Sequence, residues 1–208
     1  MSDTPLLEIS NLACIRDDRV LFEHVSLSLI AGQMLLVEGP NGSGKTSLLR
    51  IITGLKLADE GEVLWQGKSI QQLTADYYEQ INYVGHHDGV KRGLTCLENL
   101  RLVQAMGKPS ALDLDTALEQ VNLYRYGDTE VRNLSAGQKR RLALARLLVT
   151  ESELWILDEP FTSLDQASMK LFKSLFERHL QDRGLIVMTS HHVIEMPEAQ
   201  VKHLELGE

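Results

Sequence analysis

The chain has 208 residues, 43% of them hydrophobic and 24% charged, with a formal net charge of −8, a balance that fits a soluble globular protein of one large or two small domains. The acidic charge argues against general affinity for nucleic acid, and no apolar run approaches the roughly 18 residues that a membrane-spanning helix needs. The opening Met1-Ser2-Asp3-Thr4-Pro5 lacks the pattern of a secretory signal, so the chain is expected to stay in the cytoplasm.

Residues 6 to 38 read as β-rich. Leu6-Leu7-Glu8-Ile9, Val20-Leu21-Phe22 and the alternating Val25-Ser26-Leu27-Ser28-Leu29 have strand patterning, and Met34-Leu35-Leu36-Val37 reads as a buried strand. A helix is expected over Ser47 to Thr53, carried by Leu48, Leu49, Ile51 and Ile52 and stopped by Gly54. Gly61 to Gly67 is a strand with turn glycines at both ends, and Ile81-Asn82-Tyr83-Val84 is another. From about Leu94 to Val149 the apolar spacing turns helical, through Leu97, Leu100, Val103, then Leu114, Leu118, Val121, then Leu142, Ala145 and Leu148. Gly107-Lys108-Pro109 breaks that stretch. Leu154-Trp155-Ile156-Leu157 and Leu185-Ile186-Val187-Met188 are continuous apolar runs of the kind a parallel sheet buries on both faces, with a helix around Ser168 to Gln181 between them. The expected organisation is one α/β domain over 1–208, its core formed by 1–87 and 150–208, with about 88–149 as a helical insertion. Cys14 and Cys96 stand alone, without metal-ligand spacing, and are expected to be free buried thiols.

Gly39-Pro40-Asn41-Gly42-Ser43-Gly44-Lys45-Thr46 fits G-x-x-x-x-G-K-[ST] at every fixed position and sits between a strand and a helix. Glycines let the backbone curl so that successive N–H groups point inward, and the helix N-terminus adds partial positive charge behind bound phosphates. Lys45 then reaches the β- and γ-phosphates of a nucleotide, and the Thr46 hydroxyl ligates Mg²⁺. The apolar strand at Leu154 ends in Asp158-Glu159-Pro160, and burial of the strand does not explain two acids at its carboxyl end. Ligands bind at that edge of open α/β sheets, where Asp158 serves the Mg²⁺ shell and Glu159 orients and polarises the attacking water.

Leu134-Ser135-Ala136-Gly137-Gln138 contains a capping box, Ser135 with Gln138 three residues on. The box leaves Gly137 unexplained, since Gly in the first turn costs roughly 1 kcal/mol against Ala. A helix end without bulk there suits close approach to a γ-phosphate held by another subunit. Arg140 and Arg141 are expected on the solvated face of this helix.

These motifs in this order, followed by a histidine, resemble the nucleotide-binding domain of ABC ATPases, and the resemblance covers essentially the whole chain. It implies a P-loop NTPase of ABC type with an N-terminal antiparallel β subdomain and an inserted α-helical subdomain. It also implies a head-to-tail homodimer enclosing two ATP molecules, each between the phosphate loop of one copy and Ser135, Ala136, Gly137 and Gln138 of the other. Ser163-Leu164-Asp165 resembles the loop at the dimer seam, and His191, after the strand Leu185 to Thr189, the switch histidine of the catalytic site. The position that stacks on adenine falls at Arg16, and the position that touches Mg²⁺ and the attacking water falls at His86, with His87 beside it.

Gly85-His86, Gly89-Val90-Lys91, Leu94-Thr95-Cys96-Leu97-Glu98-Asn99-Leu100 and Leu64-Trp65-Gln66-Gly67 resemble, more narrowly, the ATP-binding subunits of cytochrome c maturation systems. That likeness implies integral membrane partner subunits at the bacterial inner membrane, a peripheral place on its cytoplasmic face, and ATP hydrolysis that powers haem export or release of a haem-loaded chaperone. An ATPase subunit of a transporter for another substrate shares the same core motifs. A soluble ABC ATPase acting on nucleic acid or ribosomes would usually add coiled-coil arms or a second cassette, and a GTPase would carry Asn-Lys-x-Asp; the chain has neither.

Overall fold

A computed structural model of the chain describes residues 4–190 and 200–207. Two long strands, β1 (Leu7–Arg16) and β2 (Arg19–Leu29), are followed by β3 (Met34–Glu38) and α1 (Lys45–Ile52). Then come β4 (Glu60–Trp65), β5 (Lys68–Ser69), the short helices α2 (Ile70–Leu73) and α3 (Ala75–Gln80), and β6 (Ile81–Val84). Helices α4 (Cys96–Met106), α5 (Leu114–Gln120) and α6 (Ala136–Val149) lie between β6 and β7 (Leu154–Asp158), and α7 (Gln166–Gln181), β8 (Leu185–Thr189) and β9 (Val201–Glu205) complete the order.

The strands form two sheets. One is antiparallel, in the order β2-β1-β4-β5; the other is parallel, in the order β6-β7-β8-β3-β9. Every residue of β7 and β8 is buried, as continuous apolar runs require of central parallel strands. Side chains alternate across the sheet, so each strand serves two cores. Leu36, Trp155, Leu157, Ile186 and Met188 pack with the apolar faces of α4 to α7. Leu35, Val37, Ile156 and Val187 pack on the other face with Leu48, Leu49 and Ile52 of α1 and the inner side of the antiparallel sheet. This arrangement bears out the expected α/β class. Cys14 and Cys96 are free and buried, as expected.

Strands β1 and β9 are among those that differ from the sequence expectation. β1 runs on to Arg16 because a register shift between Ile9 and Leu12 accommodates Asn11 at φ 47, and such a bulge breaks the alternation that marks a strand. β9 has no counterpart in the sequence reading. Among the described residues it is an edge strand pairing only with β3, and none of its five residues is fully buried, so Val-Lys-His-Leu-Glu carries little apolar signal.

The His179 ring stacks on Trp155, with centroids 3.7 Å apart and planes 7° apart, and its Nε2 lies 3.3 Å from the Leu185 carbonyl. Burial holds the imidazole down at about 4, below its usual 6.5. The unfolded chain therefore takes up this proton first. Stability from this group is full above pH 6.5 and falls as pH drops from 6.5 toward 4, by on the order of 2–3 kcal/mol. Urea unfolding at pH 7 and pH 4.5 should show the loss in the wild-type chain and a smaller loss in His179→Phe, which keeps a ring but cannot titrate. Equal losses in both chains would contradict this assignment.

Candidate functional site

Strands β3, β6, β7 and β8 are parallel, so their carboxyl ends lie at one edge and the loops that follow them gather there. The loop after β3 is Gly39 to Gly44. Gly39 has φ 134 and Gly44 φ 102, and a Cβ on Gly39 would lie 2.2 Å from the Leu206 carbonyl oxygen, so that position accepts only glycine. Lys45 is folded back over the loop, its Nζ donating to the carbonyls of Gly39 at 2.6 Å and Pro40 at 3.0 Å. Ser43 Oγ is buried and has no hydrogen-bond partner among the described residues.

The ladder pairs Asp158 with Thr189, and the phosphate loop brings Thr46 to the same carboxylate. Thr46 Oγ1 donates to Asp158 Oδ2 at 2.9 Å and Thr189 Oγ1 donates to Asp158 Oδ1 at 2.9 Å. Asp158 is thereby almost fully buried yet satisfied on both oxygens. The Glu159 amide donates to Thr189 Oγ1 at 2.9 Å, and Glu159 has φ 50. A non-glycine residue in that region costs of order 1 kcal/mol and persists where its surroundings hold it.

A cleft of about 450 Å³ brings these groups together, lined among others by Arg16, Asn41, Lys45, His86, Asp158 and Glu159. Gly42, Gly44 and Thr46 line it too, with Gly39, Pro40 and Ser43 completing the loop. His86 lies on this lining and His87 does not; the two rings stand 5.6 Å apart. A larger cleft of about 770 Å³ lies at the amino ends of the parallel strands beside Glu153, Trp155 and Gly184, and none of the motif residues lines it. The glycine loop, the ammonium and the buried carboxylate assign binding chemistry to the smaller one.

Ser135 lies outside that cleft, exposed at the N-terminus of α6. Its Oγ accepts from the Gln138 amide at 3.2 Å, and Gln138 Oε1 accepts from the Ser135 amide at 2.8 Å, which is the expected capping box. Ala136 is exposed beside it. A Cβ on Gly137 would sit 2.9 Å from the Ser163 carbonyl oxygen, so a contact within the chain accounts for this glycine without a ligand. Asp165 caps α7, and hydrogen bonds from the Ser168 hydroxyl and amide hold its carboxyl below the usual range. His191 lies outside the described residues.

Arg140 is buried and Arg141 half-buried, so neither stands on a fully solvated face of α6. Arg140 is 3% exposed and donates to the carbonyls of Gly85, Asp158, Glu159 and Pro160 and to the Asp88 carboxylate. Arg141 Nη1 donates to the carbonyls of Val121 and Asn122, each at 3.3 Å. Leu142, Ala143, Leu144 and Ala145 are all fully buried, so the middle of this helix is enclosed on every side. Periodicity cannot find a polar side chain that turns inward to cap carbonyls. Thr189 carries no signal in the sequence either, being one polar residue at the end of an apolar run.

A family model described as ABC transporter matches residues 22–162. The cytochrome c biogenesis ATP-binding export protein CcmA of Aliivibrio fischeri is 43% identical, covering 98% of this chain and all of that protein. Its namesake in Nitrosospira multiformis is 47% identical over 97% of this chain and 99% of that one. Among solved structures, a putative ABC transporter ATP-binding protein from Pyrococcus furiosus superposes with a TM-score of 0.82 at 25% identity, over 96% of each chain. The ATP binding subunit of an ABC transporter gives 0.84 at 22% identity, covering 97% of this chain and 85% of that one, a likeness of fold. Fold, phosphate loop and near-complete coverage by relatives agree, and the chain belongs to the ABC transporter family of ATP-binding proteins, in the branch of the cytochrome c biogenesis export proteins.

Proposed function

We propose that this chain is the ATP-hydrolysing subunit of a membrane export complex that serves cytochrome c biogenesis by powering haem export or release of a haem-loaded chaperone. The observation that carries the ATPase reading is the gathering of Lys45, the Thr46–Asp158 pair and Glu159 around one cleft. The export task comes from the relatives at 43% and 47% identity.

Lys45 exchanges its bonds to the Gly39 and Pro40 carbonyls for the β- and γ-phosphates, and the loop amides and the start of α1 hold the remaining phosphate charge. The orphaned Ser43 hydroxyl gains a partner in the same loop. Arg16 stacks on the adenine, as a planar guanidinium can. Thr46 and Asp158 are oxygen donors, the kind Mg²⁺ takes; they would hold the ion, which would supply positive charge beside the phosphates. Glu159 receives the proton of the water that attacks the γ-phosphorus as the bond to ADP breaks. His86 orients that water; imidazole nitrogen is a poor Mg²⁺ ligand. His191 contacts the γ-phosphate, and a second copy contributes Ser135, the amides of Ala136, Gly137 and Gln138, and Asp165.

In this reading residues 1–208 act as one nucleotide-binding domain, and integral membrane subunits dock beside the helical insertion at 88–149. No helix among the described residues is long and apolar enough to cross a membrane, so attachment to the cytoplasmic face of the inner membrane runs through those partners.

His86→Ala should lower turnover about tenfold or more, and His87→Ala less, because only His86 lines the cleft. Phosphate-release assays on both variants decide the point; the reverse order would reassign the role to His87. For the export task, the chain is purified from membranes with its partners, the copurifying chains are identified and the absorbance is scanned for haem. Membrane chains together with haem support the proposal. Membrane chains without haem point to another substrate, and a chain recovered with no membrane partner contradicts it.

A further inference from the structure

The Arg140 guanidinium uses all five of its N–H donors. Nε donates to Pro160 O at 3.1 Å, Nη1 to Gly85 O at 3.0 Å and Asp88 Oδ1 at 3.3 Å, and Nη2 to Asp158 O at 2.8 Å and Glu159 O at 2.7 Å. These five acceptors belong to two segments, the loop after β6 that carries His86 and the end of β7 that carries Asp158 and Glu159. The donor belongs to a third, α6, five residues on from its cap Ser135. The side chain is 3% exposed, so water does not compete for these bonds.

We infer that Arg140 is a positioning residue that ties the Ser135 end of α6 to Glu159 and to the His86 loop, so that engagement of one subunit's α6 sets the geometry of that subunit's own hydrolytic groups. This rests on the ATPase reading above. Glu159 is held in its left-handed conformation from both sides, its amide on Thr189 Oγ1 and its carbonyl on Arg140 Nη2. Such a conformation persists only where neighbours fix it, and displacements near 1 Å at a reacting group can cost 100-fold in rate. A displacement of α6 is passed directly to the backbone on either side of Glu159. Lysine cannot replace this clamp, since an ammonium has three donors and no planar fork.

The test measures Mg²⁺-dependent ATP turnover and ATP affinity in the full chain for Arg140→Lys, alone and combined with Glu159→Gln. Expected is a fall in kcat of about tenfold or more with ATP Kd changed less than about threefold, and a further loss of no more than about twofold on the Glu159→Gln background. A general packing role would lower turnover by the same factor on both backgrounds, in step with the folded fraction, and that result would overturn the inference. So would weakened ATP binding with unchanged kcat. If Arg140→Lys does not fold, Asp88→Asn loosens the same clamp from its more exposed end, where the Asp88 side chain is 29% exposed. Its kcat should fall on the wild-type background only, and an unchanged kcat overturns the inference. Should Glu159→Gln alone turn over ATP at the wild-type rate, the ATPase reading itself fails, independently of Arg140.

Discussion

Glu159→Gln should bind ATP with nearly wild-type affinity and hydrolyse it roughly 10²–10⁴-fold more slowly. Glutamine matches glutamate in size, so the φ 50 backbone, the Thr189 contact to the amide and the Arg140 contact to the carbonyl survive the change. Lys45, Thr46 and Asp158 are untouched, which preserves phosphate binding. What is lost is the proposed proton acceptor, because an amide is not basic near neutral pH. Phosphate release measured beside equilibrium binding of ATP separates the two effects. Turnover close to the wild-type rate would remove Glu159 from its assigned place.

Ser135→Arg should lose turnover on a similar scale, about 100-fold or more, for a different reason. Ser135 is exposed and outside the cleft, so each isolated chain should bind ATP as before. The new side chain puts bulk and positive charge at the end of α6 that the proposed dimer presses against a γ-phosphate. It also removes the cap on the Gln138 amide and sets a cation at the positive end of the helix, costs of about 1 kcal/mol and below 1 kcal/mol respectively, which a folded domain tolerates. Ser135→Ala removes the cap and the hydroxyl but adds neither bulk nor charge, so the backbone amides of the helix end stay within reach and turnover should fall less. Turnover in Ser135→Arg close to the wild-type rate would mean that no second copy touches this helix end.

The sequence disclosed the parts of the site whose chemistry requires particular residue types in series. Gly39 to Thr46 is legible because curled backbone and a terminal ammonium need that spacing, and Asp158-Glu159 because acids at the end of the buried run 154–157 have no packing reason. The parallel sheet was legible from the same continuous runs. Arg140 was not, since its role depends on carbonyls from two distant segments meeting one helix, and a charged residue in a helical pattern reads as solvated. Gly137 carried a signal, but the Ser163 carbonyl that crowds it comes from 26 residues later in the chain and no spacing announces it. β9 escaped because an edge strand with no fully buried residue needs little hydrophobicity to hold its place beside β3.

In the proposed dimer the cleft at Lys45 is half of a site and a second copy of the chain supplies the rest. The mass of the Glu159→Gln chain in solution, measured with and without Mg²⁺ and ATP, tests it most directly. One chain is expected without nucleotide and two with it, with a return to one chain when Ser135→Arg is added to the same background. A Glu159→Gln chain that binds ATP and remains single, or one that still pairs with Ser135→Arg in place, would contradict it.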